Sequence, residues 1–253
     1  MYRRAGHMID THAHLTALDD PDGAVARARE AGVTRILTVG TDVGDCRNAL
    51  ALAEKHAGVF AILGIHPHEA ARATDRDLAE LRELLAHPKA VAVGETGLDW
   101  FRDYAPRDAQ RRLFAAQLEL AAELRKPIVI HTRDAEEDTL AMLEPFEGTV
   151  VLHCFSSPDL LPTALEREWY VSFAGNVTYK NAHDLRHAAT QVRLDLLLTE
   201  TDCPYLAPEP LRGQSNEPAY VVHTLHRLAR VQNYDLEPFE VAINTNANEC
   251  FHL

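Results

Sequence analysis

Residues 127–131 read Pro-Ile-Val-Ile-His, and residues 149–153 read Thr-Val-Val-Leu-His. Each is a short apolar run that stops at a histidine, and a helical pattern over residues 134–143 separates them. Runs this short, with no polar alternation, fit strands buried on both faces, as parallel strands between helices are. Strand, helix and strand in succession make a βαβ unit, and this one delivers two imidazoles to the same edge.

The same grammar extends in both directions. Residues 8–12 run into His12 and His14, residues 90–95 end on Glu95, and the run that begins at Leu196 leads through Glu200 to Asp202. Further β-type runs lie at 34–40, 59–64, 169–173 and 194–199. Helical patterns fall between them at 21–31, 44–56, 75–86, 106–124, 134–143, 157–166 and 181–190, with two more at 218–231 and 237–251. Eight β runs alternating with helices and no Gly/Ser linker predict an α/β protein, one (β/α)8 TIM barrel over residues 8–253. A doubly wound open sheet is the alternative, and no Gly-x-Gly-x-x-Gly follows the first strand to support it. Residues 1–7, MYRRAGH, read as an N-terminal extension, native or introduced.

In such a barrel the strand C-termini converge on the catalytic face. His12, His14, Glu95, His131, His153 and Asp202 all stand at strand ends, and four imidazoles with two carboxylates suit a transition-metal site. His12 and His14 sit two apart, so on a strand they point the same way, with Asp10 in phase as a partner to orient an imidazole. Glu95 after an apolar run needs compensation, from a salt bridge or from bridging two cations. Glu200 and Asp202 share a phase, one to ligate and the other to support, and Asp202 is placed to accept a proton. His66 and His68 follow the third strand, the first reading as a phosphate contact and the second as rim. Arg102, Arg133, Lys180 and Arg212 follow strands and belong to the catalytic face, whereas Lys89 and Lys126 precede strands and belong to the opposite one. Trp100, Phe101 and Tyr104 read equally as helix packing or as a surface for stacking bases.

Composition narrows the class. The chain is 46% hydrophobic and 25% charged, with net charge −13, which argues against broad adhesion to a polyanion. It leaves room for a nuclease, because bound cations do not enter that sum. Cys46, Cys154, Cys203 and Cys250 form no Cys-x-x-Cys pair and fit reduced thiols in the cytoplasm. No run is long enough to span a bilayer, and residues 1–7 lack the apolar core of a signal peptide.

Seven stretches in order carry a resemblance: IDTHAHL (9–15), GIHPHE (64–69), VGETGLDW (93–100), PIVIHTRDA (127–135), LHCFSS (152–157), LTETDCPYLAP (198–208) and NEPAYV (216–221). With them the chain resembles the TatD family of metal-dependent deoxyribonucleases, among the amidohydrolase-like barrels. The resemblance implies metal roles for His12, His14, Glu95, His131, His153 and Asp202, with Glu95 bridging two cations and Asp202 doubling as proton acceptor. It implies a hydrolase that cleaves phosphodiester bonds in DNA, as an exonuclease, through a binuclear metal-activated water. Ala13, Thr16 and Ser157 depart from residues common in the family, and none of these departures removes a ligand.

The resulting expectation is two divalent ions per chain, Zn, Mn or Mg. His12, His14, Glu95 and Asp202 would hold one ion, and Glu95, His131 and His153 the other. Arg133, Lys180 and His66 would bind substrate, with Asp10 and Glu200 supporting the ligands. The expected partner is single-stranded DNA or a frayed end, met by a monomer with no membrane contact. An amide, lactone or aminoacyl-ester hydrolase on the same barrel is the enzymatic rival, and an inactive metal-binding scaffold the non-enzymatic one.

Overall fold

The computed structural model of the chain describes residues 7–102 and 104–253. Eight strands form one parallel sheet in chain order: β1 (Met8–Ala13), β2 (Val33–Gly40), β3 (Val59–Leu63), β4 (Ala90–Asp99), β5 (Ile128–Arg133), β6 (Val150–Leu152), β7 (Tyr170–Phe173) and β8 (Leu197–Thr199). The sheet closes just beyond β8, where Ala13 bridges Cys203, Asp202 N donates to His12 O at 2.9 Å and His14 N donates to Cys203 O at 2.8 Å. The predicted TIM barrel is therefore the observed fold. Of the expected extension, residues 1–6 lie outside the described residues, and His7 donates its backbone N–H to Glu240 Oε1 at 3.0 Å.

The helices are α1 (Pro21–Glu30), α2 (Val43–Lys55), α3 (Asp75–Leu85), α4 (Arg107–Leu124), α5 (Glu136–Leu143), α6 (Leu161–Glu166), α7 (His183–Gln191), α8 (Val221–Val231) and α9 (Leu236–Phe251). Local chemistry starts several of them. Asp20 accepts from Gly23 N ahead of Pro21, Asp42 accepts from Asp45 N, and Thr74 with Asp77 forms a reciprocal capping box.

Two buried clusters account for the continuous apolar strands. One side of each strand packs against the helices, through residues such as Ile36, Leu63, Val93, Ile130, Val171 and Leu197. The other side fills the barrel, where Ile9, Leu37, Ile62, Val129, Val151 and Leu198 meet Ala247, Cys250 and Phe251 of α9. The predicted eighth run is shorter than its pattern. Residues 194–196 form a 3-10 turn before β8, held by Asn246 Nδ2 donating to Leu194 O and Leu197 O at 2.6 and 2.9 Å.

Lys89 and Lys126 lie at the strand N-termini, as their position in the alternation predicts. Lys89 Nζ donates to Ala57 O and Val59 O at 2.7 and 2.9 Å, and Lys126 Nζ donates to Ala90 O at 2.6 Å. Charge-assisted bonds of this kind stabilise by about 1–2 kcal/mol after allowing for solvent access. Lys89→Met is expected to lower unfolding stability by about that much, read as a shifted urea midpoint.

Candidate metal centre and cleft

β4 carries the central carboxylate and is bent to present it. Val93 pairs with Ile128 and Thr96 with Ile130, so β4 spends three residues where β5 spends two. The extra residue is a bulge, which re-aims the side chain it carries. Gly94 (φ +145°) and Gly97 (φ +140°) make it possible. A Cβ would stand 2.7 Å from Val129 O at the first and 2.0 Å from His131 O at the second. The pair lets β4 lie closely on β5 and turns Glu95 into the barrel mouth.

The two oxygens of Glu95 face different partners. Oε1 lies 2.8 Å from His131 Nδ1, 2.8 Å from His153 Nε2 and 3.4 Å from His66 Nε2. Oε2 lies 3.5 Å from His12 Nε2 and 3.7 Å from His14 Nε2. Asp202 Oδ1 completes the second set, 3.9 Å from His12 Nε2 and 3.4 Å from His14 Nε2. All six residues predicted from strand ends thus gather around one carboxylate.

The donor set fits divalent cations. Atoms held at about 2.0–2.2 Å from one tetrahedral ion lie roughly 3.4 Å apart, close to the spacing on the Oε2 side. His12 is fully buried, and neither Nδ1 nor Nε2 has a hydrogen-bond partner among the described residues. A buried orphan nitrogen is costly unless something binds it. The charges agree. Burial alone would raise the Glu95 carboxyl, but His153, His66, His12 and His131 hold it well below the usual range. Burial opposes charge on His153 and His131, yet Glu95 with Glu200, and Asp99 with Glu95, hold these two imidazoles above the usual value. The surroundings of Glu95 favour positive charge, which cations would supply.

Carboxylates back the histidines on the Oε1 side. His153 Nδ1 faces Glu200 Oε1 at 3.3 Å, and His131 Nε2 faces Asp99 Oδ2 at 3.1 Å. Each arrangement fixes the orientation of its ring, so that the other nitrogen faces Glu95. Glu200 thus supports His153, whereas Asp202 (φ 56°) has left the extended backbone that the phase argument assumed. Asp99 is a site residue that the strand pattern missed. Its Oδ2 also faces His68 Nε2 at 2.8 Å, and its Oδ1 accepts from Arg102 N at 2.8 Å. His68 belongs to this network and not merely to the rim, a correction to its predicted place.

Asp10 also needs correcting. Its carboxylate orients no imidazole ring; it accepts from Thr201 N at 2.8 Å, Thr201 Oγ1 at 2.6 Å and His12 N at 3.4 Å. Asp10 and Ala13 pair with Ile36 and Thr38, so β1 is itself bulged between them and the expected phase with His12 is lost. Asp10 instead ties β1 to the residue before Asp202. Its burial pushes the carboxyl up to about 8.

His66 is placed among the rings, 4.6 Å from His131 by centroid. Its Nδ1 accepts from His68 N at 3.2 Å, and burial holds it down to about 4, so it is a neutral ring whose Nε2–H points to Glu95. Burial pushes the Cys154 and Cys203 thiols well up, and neither joins the converging ligand groups among the described residues.

Two buried glutamines of α4, seven residues apart, fix the strand ends. Gln117 Oε1 accepts from Ile65 N at 2.8 Å, while its Nε2 donates to Ile65 O at 2.9 Å and Thr96 Oγ1 at 2.6 Å. Gln110 accepts from Asp99 N at 2.9 Å and donates to Ala105 O at 3.0 Å. Both lie on the apolar stripe of α4, and polar residues at core spacing were the available signal.

A cleft of about 730 Å3 opens above this centre, walled by His14, Glu95, Arg102, Tyr104, Arg133 and Tyr205 among others. Tyr104 (62% exposed) and Tyr205 (59%) line it, and the exposed Phe101 (53%) lies against Arg133 of its wall. The Arg133 guanidinium lies 3.7 Å from the Phe101 ring centre. Trp100 takes the packing role instead, its Nε1 donating to Asp138 Oδ2 at 2.9 Å. Lys180 and Arg212 are not in this cleft but in a smaller neighbouring pocket.

Comparison with known proteins agrees with this architecture. A family model described as TatD-related DNase matches residues 9–252. The chain belongs to the TatD-related DNase family. As a member it is classed among the hydrolases. It is 38% identical over 254 residues to the metal-dependent hydrolase YabD of Bacillus subtilis, covering 97% of this chain and 99% of that protein. It is 35% identical over 256 residues to the 3'-5' ssDNA/RNA exonuclease TatD of Enterobacter lignolyticus, covering 96% and 98%. The crystal structure of the TatD homologue YjjV of Escherichia coli superposes with a TM-score of 0.93 at 29% identity, covering 99% of this chain and all of that one. Among the described residues no helix is long and apolar enough to cross a membrane.

Proposed function

We propose that this protein is a metal-dependent phosphodiesterase that removes nucleotides from the end of a single DNA strand. The observation that carries the choice of substrate is the cleft itself. A carboxylate whose two oxygens serve separate imidazole sets sits beneath a rim of exposed aromatic rings, with guanidinium groups beside them. Bases stack on such rings and phosphates pair with such cations, whereas a small amide or lactone needs neither. The 3'-5' exonuclease named among the relatives supports the same reading.

In this reading His12, His14, Glu95 and Asp202 hold one divalent ion, Zn, Mn or Mg, and Glu95, His131 and His153 hold the second. When bound, such ions lower the pKa of water and neutralise charge on the phosphoryl oxygens. Asp202 accepts the proton of the attacking water. Burial would raise its carboxyl, but His14 outweighs that and keeps it below the usual range, hence ionised and ready to accept. His66 offers a neutral N–H at the centre, and Arg133, on Phe101, grips a phosphate oxygen at the mouth. Asp99 and Glu200 hold His131 and His153 in their productive orientations.

The test is to incubate metal-loaded protein with end-labelled single-stranded DNA, RNA, aminoacyl esters, amides and lactones. Progressive shortening of DNA from one end, abolished by EDTA, is the expected result. Turnover of an ester, amide or lactone with DNA left intact would overturn the reading.

A further inference from the structure

The smaller pocket beside the cleft has the makings of a second ligand site. It encloses about 360 Å3 and is lined by Asn176, Tyr179, Lys180 and Arg212 with three neighbours. Asn176 lines the main cleft as well, so the two cavities adjoin at this residue. We propose that this pocket is the subsite for the next nucleotide of the strand, its base laid against Tyr179 and Arg212 and its phosphate on Lys180. The proposal rests on the phosphodiesterase reading and deepens it.

Four observations support it. The Arg212 guanidinium lies over the Tyr179 ring, 4.4 Å from its centre. A planar cation laid on a ring makes an extended surface on which any base can stack. Lys180 and Arg212 have no ion-pair partner among the described residues, so neither charge is already met by a carboxylate. Asn176 Oδ1 is buried without a hydrogen-bond partner among the described residues, an acceptor suited to a sugar hydroxyl or a base amine at the junction.

The fourth observation is rigidity. Arg186 of α7 reaches under the loop after β7 and donates to Val177 O at 3.1 Å, Tyr179 O at 2.6 Å and Lys180 O at 3.0 Å. Thr178 Oγ1 donates to Gly175 O at 2.6 Å and accepts from Glu209 N at 2.8 Å. That last bond ties the loop carrying Tyr179 to the loop carrying Arg212. The two walls are thus held in place before any ligand arrives, which lowers the entropic cost of binding.

A probe too small to reach the pocket separates this subsite from the centre. The rate constants to compare are those for bis(p-nitrophenyl) phosphate and for a single-stranded DNA tetranucleotide. Arg212→Ala and Tyr179→Ala are each expected to raise KM for the tetranucleotide roughly tenfold more than KM for the small diester, in line with the loss of one stacked base. Tyr179→Phe, which keeps the ring, should restore the wild-type ratio. Anisotropy of a fluorescein-labelled tetranucleotide should show the same weakening in EDTA, where no turnover occurs. An equal effect on both substrates, or none on the tetranucleotide, would overturn the subsite while leaving the phosphodiesterase reading intact. Wild-type protein that hydrolyses neither diester would overturn both.

Discussion

Glu95→Gln is expected to release both divalent ions and to lower hydrolysis of single-stranded DNA on the order of 10³-fold or more. The side chain is nearly isosteric, so the buried position should still fill and the barrel should still fold. What disappears is the charge. One oxygen faces His131 and His153 and the other faces His12 and His14, so a neutral amide weakens both sets at once. Elemental analysis of the purified variant reads the ions directly, and an end-labelled oligonucleotide reads the rate. Wild-type metal content with wild-type activity would remove Glu95 as the bridge.

Asp202→Asn should separate proton transfer from folding. Loss of a positioned base typically costs roughly 10²–10⁴-fold in rate. The thermal midpoint should move little, because Asp202 sits in the left-handed region (φ 56°), which asparagine also tolerates. The contrast with His131→Ala is informative. If Asp202→Asn turns over normally while His131→Ala is inactive, another group takes the proton.

Much of the barrel was legible because its signal is local. Eight apolar runs ended where hydrogen bonding to the neighbouring strand ends, give or take a few residues, and chemistry-bearing residues marked the C-terminal ends of five of them. What period-two reasoning missed lies at the two bulges. In β1 the extra residue breaks the phase between Asp10 and His12, so Asp10 meets Thr201 instead of a ring. In β4 the sequence pattern ends the run at Glu95, yet the strand continues to Asp99 and pairs with β5 as far as Arg133. Asp99 was therefore beyond the expected strand end, and its meeting with His68 and His131 joins β4 to β5 and to the turn after β3. The displacement of Lys180 and Arg212 into a separate pocket was equally hidden, because their order after strands gives a face of the barrel but no distance across it.

The bulge in β4 also bears on how evolution will have treated this site. Gly94 and Gly97 have no side chain to ligate an ion, yet a single methyl group at either would strike the backbone of β5. Selection on these positions is therefore expected to be as severe as on Glu95 itself. In any alignment of relatives the two glycine columns should be as invariant as the glutamate column, and a conservation score would rank them as catalytic. Such invariance would record a steric constraint of the scaffold, leaving drift elsewhere in the cleft to retune substrate choice while this close contact between two parallel strands stays fixed.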